Sequence, residues 1–158
     1  MNVPNEREVI NMKKQKTIWF DMDGTLADLY AVEGWLDDLE NSRVRPYREA
    51  APLVNLQALA HRLNHLQKQG YRLGIVSWLS KSGDAEYKRE IIKAKRRWLD
   101  LHLRSVDWDE IVIVPYGVPK SSVVSELGIL FDDEEQNRTD WGENAFDMTE
   151  IFEVLRSL

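Results

Sequence analysis

Cysteine is absent from this chain of 158 residues. Disulfides and thiol chemistry are therefore excluded, and the lack of cysteine fits a reducing, cytoplasmic setting. No apolar run comes near the roughly 20 residues that a membrane span needs. Residues 1–16 are polar and charged, without the apolar block of a signal peptide, and read as a loose arm with a basic cluster at Lys13, Lys14 and Lys16. A net positive charge is also missing. Twenty-one Lys and Arg against 27 Asp and Glu leave a balance of −6, which argues against a broad nucleic-acid footprint but not against a small phosphorylated ligand in a local basic pocket. With 43% apolar residues the chain is rich enough to build one domain with a substantial core, here residues 17–158.

What is present is organised around Ile18-Trp19-Phe20-Asp21-Met22-Asp23-Gly24-Thr25. A short apolar run bounded by turn residues reads as a strand buried on both faces. It ends in a carboxylate, and a second follows two residues on. Gly24 permits a sharp turn there. In open parallel sheets this carboxyl edge is where ligands bind. Two acids held there repel one another and call for a cation or a shared proton.

The rest of the chain alternates strands with helices. Trp35, Leu36 and Leu39 fit one face of a helix over 31–40. Arg43, Arg45, Tyr47 and Arg48 then crowd a stretch broken by Pro46 and Pro52, its arginines either facing a substrate or solvated. Leu53, Leu56, Leu59, Leu63 and Leu66 predict an amphipathic helix over 53–69 with Gly70 at its end. His61 and His65 fall off that stripe and read as solvated rather than as a metal pair. A second strand over 71–76 ends in Ser77. A helix over about 84–102 buries Tyr87, Ile91, Ala94, Trp98 and Leu101. Its basic residues, from Lys88 through Lys93, Lys95, Arg96 and Arg97, read as a solvated face, with phosphate or nucleic-acid attraction as the alternative. A third strand spans 111–114, then Lys120 opens a short helix to Leu127. A fourth strand, 128–131, ends in Asp132-Asp133. A polar loop runs through Gly142, a small strand covers 145–148, and Thr149 caps a last helix to 157. This alternation predicts an α/β fold, a three-layer Rossmann-like parallel sheet.

Asp21/Asp23, Ser77, Lys120 and Asp132/Asp133 each follow an apolar run, so parallel strands would bring them to one sheet edge. In order and placement they resemble the four motifs of the haloacid dehalogenase-like (HAD) hydrolase superfamily over about residues 17–150. The resemblance implies a HAD-like fold with a minimal cap at about 28–51. It also implies a Mg²⁺-dependent phosphatase acting on a phosphomonoester. By the same resemblance Asp21 is the nucleophile, and Asp23 is the general acid/base and offers its backbone carbonyl to the metal. Asp133, supported by Asp132, completes the metal site with Asp21. Ser77 and Lys120 bind the phosphoryl group. Asn137 is a candidate for holding a metal-bound water. Thr25 either braces the turn or contacts substrate.

The segment Lys95–Leu103, the third strand, Lys120 and Ile129–Asp133 are spaced like the C-terminal half of the cytosolic 5′(3′)-deoxyribonucleotidases. That points to a nucleotide substrate, although the cap region departs from that family. Trp78 and Trp141 are candidates for stacking on a base or for packing at the sheet edge. A phosphatase of nucleic-acid 3′ ends and an inactive HAD-fold binding protein are the alternatives. A receiver domain is disfavoured, because no acid ends the third strand at Val114.

Overall fold

The computed structural model describes residues 3–14 and 16–158, the side chains of 11–14 excepted. Lys13 and Lys14 of the basic cluster therefore have side chains outside the described set. Lys16 lies over the Tyr71 ring at 5.7 Å. Helix α1 (Glu6–Lys14) occupies the segment for which the sequence reading assigned no element. Its start is built by Asn5 and Glu8, each accepting the other's backbone N–H, as in a capping box.

Strand β1 (Thr17–Phe20) is buried throughout and carries the first motif at its end. The chain then makes a two-residue strand β2 (Ala27–Asp28), a 3₁₀ turn at Leu29–Ala31, helices α2 (Trp35–Glu40) and α3 (Arg45–Glu49), and β3 (Ala51–Pro52), which pairs antiparallel with β2. The insertion thus holds two short helices closed by a strand pair, where one helix over 31–40 and a loop were expected. Helix α4 (Leu56–Lys68) begins after Asn55, whose side chain accepts the Ala58 N–H, so Leu53 lies outside it. Leu59, Leu63 and Leu66 are fully buried, and His61 and His65 face solvent.

Strand β4 (Arg72–Trp78) runs two residues beyond the expected end, so Ser77 and Trp78 sit within it. Helix α5 (Ala85–His102) is capped by Asp84. Its buried residues are Tyr87, Ile91, Ala94, Lys95, Trp98 and Leu99. Leu101, assigned to that stripe from its spacing, points outward and is 65% exposed. Lys95, assigned to the solvated face, is buried.

Strand β5 (Glu110–Val114) is followed by a single 3₁₀ turn at Lys120–Ser122 in place of the expected helix to Leu127. Strand β6 (Ile129–Phe131) leads into helix α6 (Glu135–Trp141), which replaces the expected polar loop. After β7 (Ala145–Phe146), the last helix, α7 (Ile151–Arg156), is entered through a 3₁₀ turn capped by Asp147 rather than Thr149.

The five long-range strands form one parallel sheet in the order β5-β4-β1-β6-β7. Period-two alternation divides the core. Ile18, Phe20, Leu73, Ile75, Ile129 and Phe131 pack with residues of α4, α5 and α7 on one face. Trp19, Val76 and Leu130 pack with Trp141 of α6 on the other. Gly74 is required by this second layer: a Cβ there would lie 2.4 Å from the Trp19 ring. The result is the predicted three-layer α/β arrangement. β1 lies in the middle of the sheet, so its carboxyl end opens onto the centre of one edge. Among the described residues, no helix is long and apolar enough to cross a membrane.

Candidate active site

The turn after β1 sets the first two carboxylates. The Met22 carbonyl accepts the N–H groups of Thr25, Leu26 and Ala27, while the Gly24 N–H reaches the Ala27 carbonyl at 2.8 Å. Gly24 sits at φ +83°, and a Cβ there would fall 2.3 Å from the Asp133 carboxylate. Glycine is demanded twice, by the backbone conformation and by the close approach of β6's terminal loop.

Asp21 and Asp132 leave adjacent strands at the same edge, the Asp21 N–H donating to the Phe131 carbonyl at 2.9 Å. Between them lies Lys120, buried, with Nζ 2.8 Å from Asp21 Oδ1 and 2.5 Å from Asp132 Oδ2. Asp132 also accepts from Asn137 at 3.2 Å and from the Glu134 N–H at 3.0 Å. The Thr25 hydroxyl is 3.1 Å from Asp21 Oδ2 and 3.2 Å from Asp133 Oδ1, and its oxygen accepts the Asp133 N–H at 3.2 Å. Its one proton serves one carboxylate at a time, so Thr25 braces the turn against β6.

Oxygens of Asp21, Asp132 and Asp133 all lie within 4.8 Å of one another. Burial, then repulsion from Asp21 and Asp132, pushes the Asp133 carboxyl up to about 8. Burial and the Asp21 charge raise Asp132 to about 6, against the pull of Lys120. Burial would depress the Lys120 ammonium, but the attraction of Asp21 and Asp132 outweighs it and raises Lys120.

Asp23 faces a second ammonium, that of Lys95. Lys95 Nζ donates to Asp23 Oδ2 at 2.8 Å, Ser77 Oγ at 2.7 Å and the Trp78 carbonyl at 2.6 Å. Burial raises the Asp23 carboxyl; Lys95 opposes that rise and Asp21 adds to it. The expected residues therefore fall into two linked groups. Asp21 and Asp132 gather about Lys120, with Asp133 tied to Asp21 through Thr25, while Asp23 and Ser77 are joined through Lys95.

Within the group that could hold a metal ion, the three carboxylates Asp21, Asp132 and Asp133 face the one ammonium of Lys120. Among the described residues, no basic side chain forms an ion pair with Asp133. The donor set is all oxygen, which suits a hard divalent ion, and two positive charges would bring the cluster to neutrality. The residues therefore fit Mg²⁺.

A cavity of about 380 Å³ opens above Asp21, Asp23 and Lys120. Its walls combine aromatic residues, Tyr30, Trp35, Tyr47, Trp78 and Tyr116, with leucines and the charged Glu40, Lys81 and Glu134. Trp78 is fixed by its indole N–H to the Val118 carbonyl at 2.8 Å and by the Tyr116 ring at 4.9 Å. A second cavity of about 520 Å³ lies beside it, sharing Trp78 and Asn137 but lined otherwise by Glu135, Asp140 and neutral residues. The other stacking candidate, Trp141, is buried and donates to the Gly128 carbonyl within the core. Arg43 and Arg45 do not line the cavity. They clamp the buried Asp38 carboxylate, with Arg43 Nη1 at 3.1 Å and Arg45 Nε at 2.6 Å, and so tie α2 to α3. Burial alone would raise Asp38, but the two guanidinium groups outweigh it and hold Asp38 below the usual carboxylate range.

No protein-family model matches the chain, and no curated protein does. Among solved structures, the fold is similar to that of the D,D-heptose 1,7-bisphosphate phosphatase from Burkholderia thailandensis. The match has a TM-score of 0.50 at 15% sequence identity and covers 80% of this chain and 72% of that one. At that identity the likeness concerns the fold, and it supports the HAD-like architecture expected from the motifs.

Proposed function

We propose that this chain is a HAD-type phosphatase that hydrolyses a phosphomonoester by attack of Asp21 on phosphorus. One observation carries the proposal: three carboxylates and a buried lysine, drawn from the end of β1, the 3₁₀ turn after β5 and the end of β6, converge at one sheet edge, where Asp21 and Lys120 line the floor of a cavity. Asp21, Asp133 and the Asp23 backbone carbonyl would hold Mg²⁺, with Asp132 and Asn137 supporting. When bound, Mg²⁺ supplies positive charge that lets an anionic nucleophile approach an anionic phosphate.

The chain's own residues account for the remaining chemistry. An Asp21 carboxylate oxygen forms a bond to phosphorus as the ester P–O bond breaks. The proton for the departing oxygen comes from Asp23, whose raised carboxyl is suited to carry it. Asp23, now a carboxylate, then takes a proton from the water that attacks the aspartyl-phosphate. Lys120 anchors Asp21 and Asp132 and adds positive charge beside the phosphoryl oxygens. Ser77 donates its hydroxyl proton to one of those oxygens.

The aromatic walls support a substrate with a flat apolar group, and a nucleoside monophosphate meets that description. Glu135 and Asp140 in the adjoining cavity weigh against an extended polyanion such as a nucleic-acid 3′ end. Phosphate release from deoxynucleoside monophosphates, sugar phosphates and a 3′-phosphorylated oligonucleotide, with and without Mg²⁺, tests the reading. Mg²⁺-dependent release that is fastest from the nucleotides supports it. No release from any of them would leave an inactive binding protein. Full activity in Asp21→Asn would remove the nucleophile assignment.

A further inference from the structure

Lys95 is the buried charge that the proposed chemistry has not used. It rises from α5, 1% exposed, in the run Ile91-x-x-Ala94-Lys95-x-x-Trp98 that otherwise buries apolar side chains. Burying an ammonium is costly unless each proton finds an acceptor. Here all three do, on Asp23, Ser77 and the Trp78 carbonyl. An aromatic ring also faces the ammonium. The Tyr47 ring centroid is 5.4 Å from Nζ, and Trp98, one turn along α5, is anchored by its indole N–H to the Ala50 carbonyl at 2.8 Å.

Two consequences follow from the donor inventory. An ammonium has donors only, so Ser77 Oγ must accept from it. The Ser77 proton is thereby left free to donate to another partner. Asp23 has one oxygen, Oδ2, pinned by Lys95 at 2.8 Å, which leaves the other oxygen as the place for a proton.

Building on the phosphatase reading above, we infer that Lys95 is a positioning residue that aims the Asp23 carboxyl at the leaving-group oxygen and the Ser77 hydroxyl at the phosphoryl group. In the step concerned, the Asp21 oxygen bonds to phosphorus and the P–O ester bond breaks. The Asp23 proton passes to the departing oxygen to give a neutral alcohol. The Asp23 carboxylate left behind is the form that Lys95 pairs with.

Leaving-group dependence separates this role from a structural one. An alkyl phosphate needs protonation of its leaving oxygen, whereas p-nitrophenyl phosphate departs without it. kcat/KM, which reports the steps up to formation of the aspartyl-phosphate and leaves out its hydrolysis, is measured on both esters with wild type, Lys95→Met, Asp23→Asn and the double variant. Lys95→Met is expected to lower kcat/KM on the alkyl ester about 100-fold, the scale of lost general-acid catalysis, and on the nitrophenyl ester less than about 5-fold. In the Asp23→Asn background the same change is expected to add no selective loss, because the two residues act as a unit. Equal losses on both esters, no loss on either, or a selective loss that persists without Asp23 would overturn the inference. If Lys95→Met does not fold, Lys95→Gln, which keeps a donor without the charge, decides by the same ratio. Failure of the wild type to release phosphate from either ester would bring down the phosphatase reading itself, and this inference with it.

Discussion

Replacing Lys120 by methionine tests how the carboxylate cluster is held in the absence of metal. Methionine nearly matches the volume of the lysine stem, so the change removes the charge while leaving little void. At an effective dielectric constant of about 20, unit charges 2.8 Å apart attract by roughly 6 kcal/mol, and Lys120 has two such partners. Desolvating the ions consumes most of that attraction. Breaking a buried pair while its partners stay in place nevertheless costs about 3–5 kcal/mol. The expected result at pH 8, without divalent ions, is a loss of that size in urea unfolding followed by tryptophan fluorescence. With a slope of about 2 kcal/mol/M, the midpoint should fall by roughly 2 M.

The deficit should depend on pH with a definite sign. Asp132, raised to about 6 even against the pull of Lys120, lies above its unfolded value near 4, so the folded state binds more protons and stability falls as pH rises. The loss is therefore smallest near pH 4 and largest near pH 8. A deficit below about 1 kcal/mol at pH 8, or one that grows on acidification, would refute the reasoning.

Further outcomes follow from the same geometry. With Asp132 raised to about 6 and Asp133 to about 8, the metal-free wild type should lose stability as pH climbs from about 4 to 8, and Mg²⁺ should raise Tm far more at pH 8 than at pH 5; calorimetric scans with equal shifts at both pH values would contradict this. Gly24→Ala should abolish Mg²⁺ binding measured by titration calorimetry, because its Cβ meets Asp133. Gly117→Ala, at φ +86° with no atom within 4 Å of its Cβ, should carry only the backbone cost of about 1–2 kcal/mol and keep the metal. Trp78→Ala should raise KM for a nucleotide more than for a small phosphoester, and equal increases in the two would count against stacking on Trp78.

Much of this arrangement was legible in the sequence, and its gaps have physical reasons. The β1 turn is readable because an apolar run that stops at Asp-x-Asp-Gly leaves few alternatives for backbone and charge. Helix α4 is readable because its leucines repeat at helical spacing. Helix α6 was missed because Glu135–Asp140 shows no apolar stripe; it is organised around the two buried residues Asn137 and Trp141. Lys95 was missed because it lies in a run of lysines and arginines whose other members, such as Lys93, Arg96 and Arg97, are exposed. Its spacing, four residues after Ile91 and three before Trp98, places it inside the buried stripe, and that was the available signal. Its partners, Asp23 and Ser77, are set by strand order, which a local pattern does not carry. The pairing of Arg43 and Arg45 with Asp38 likewise depends on how α2 meets α3.

The central claim is that Asp21 carries the phosphoryl group during turnover. Rapid quenching of the Mg²⁺-loaded enzyme with a hydrolysable phosphomonoester, followed by borohydride reduction and peptide mass spectrometry, reads this directly. An aspartyl-phosphate is reduced to homoserine, and the account predicts that conversion at Asp21 and at no other aspartate. Turnover that leaves Asp21 unmodified, or modification at Asp23, Asp132 or Asp133 in its place, would contradict it.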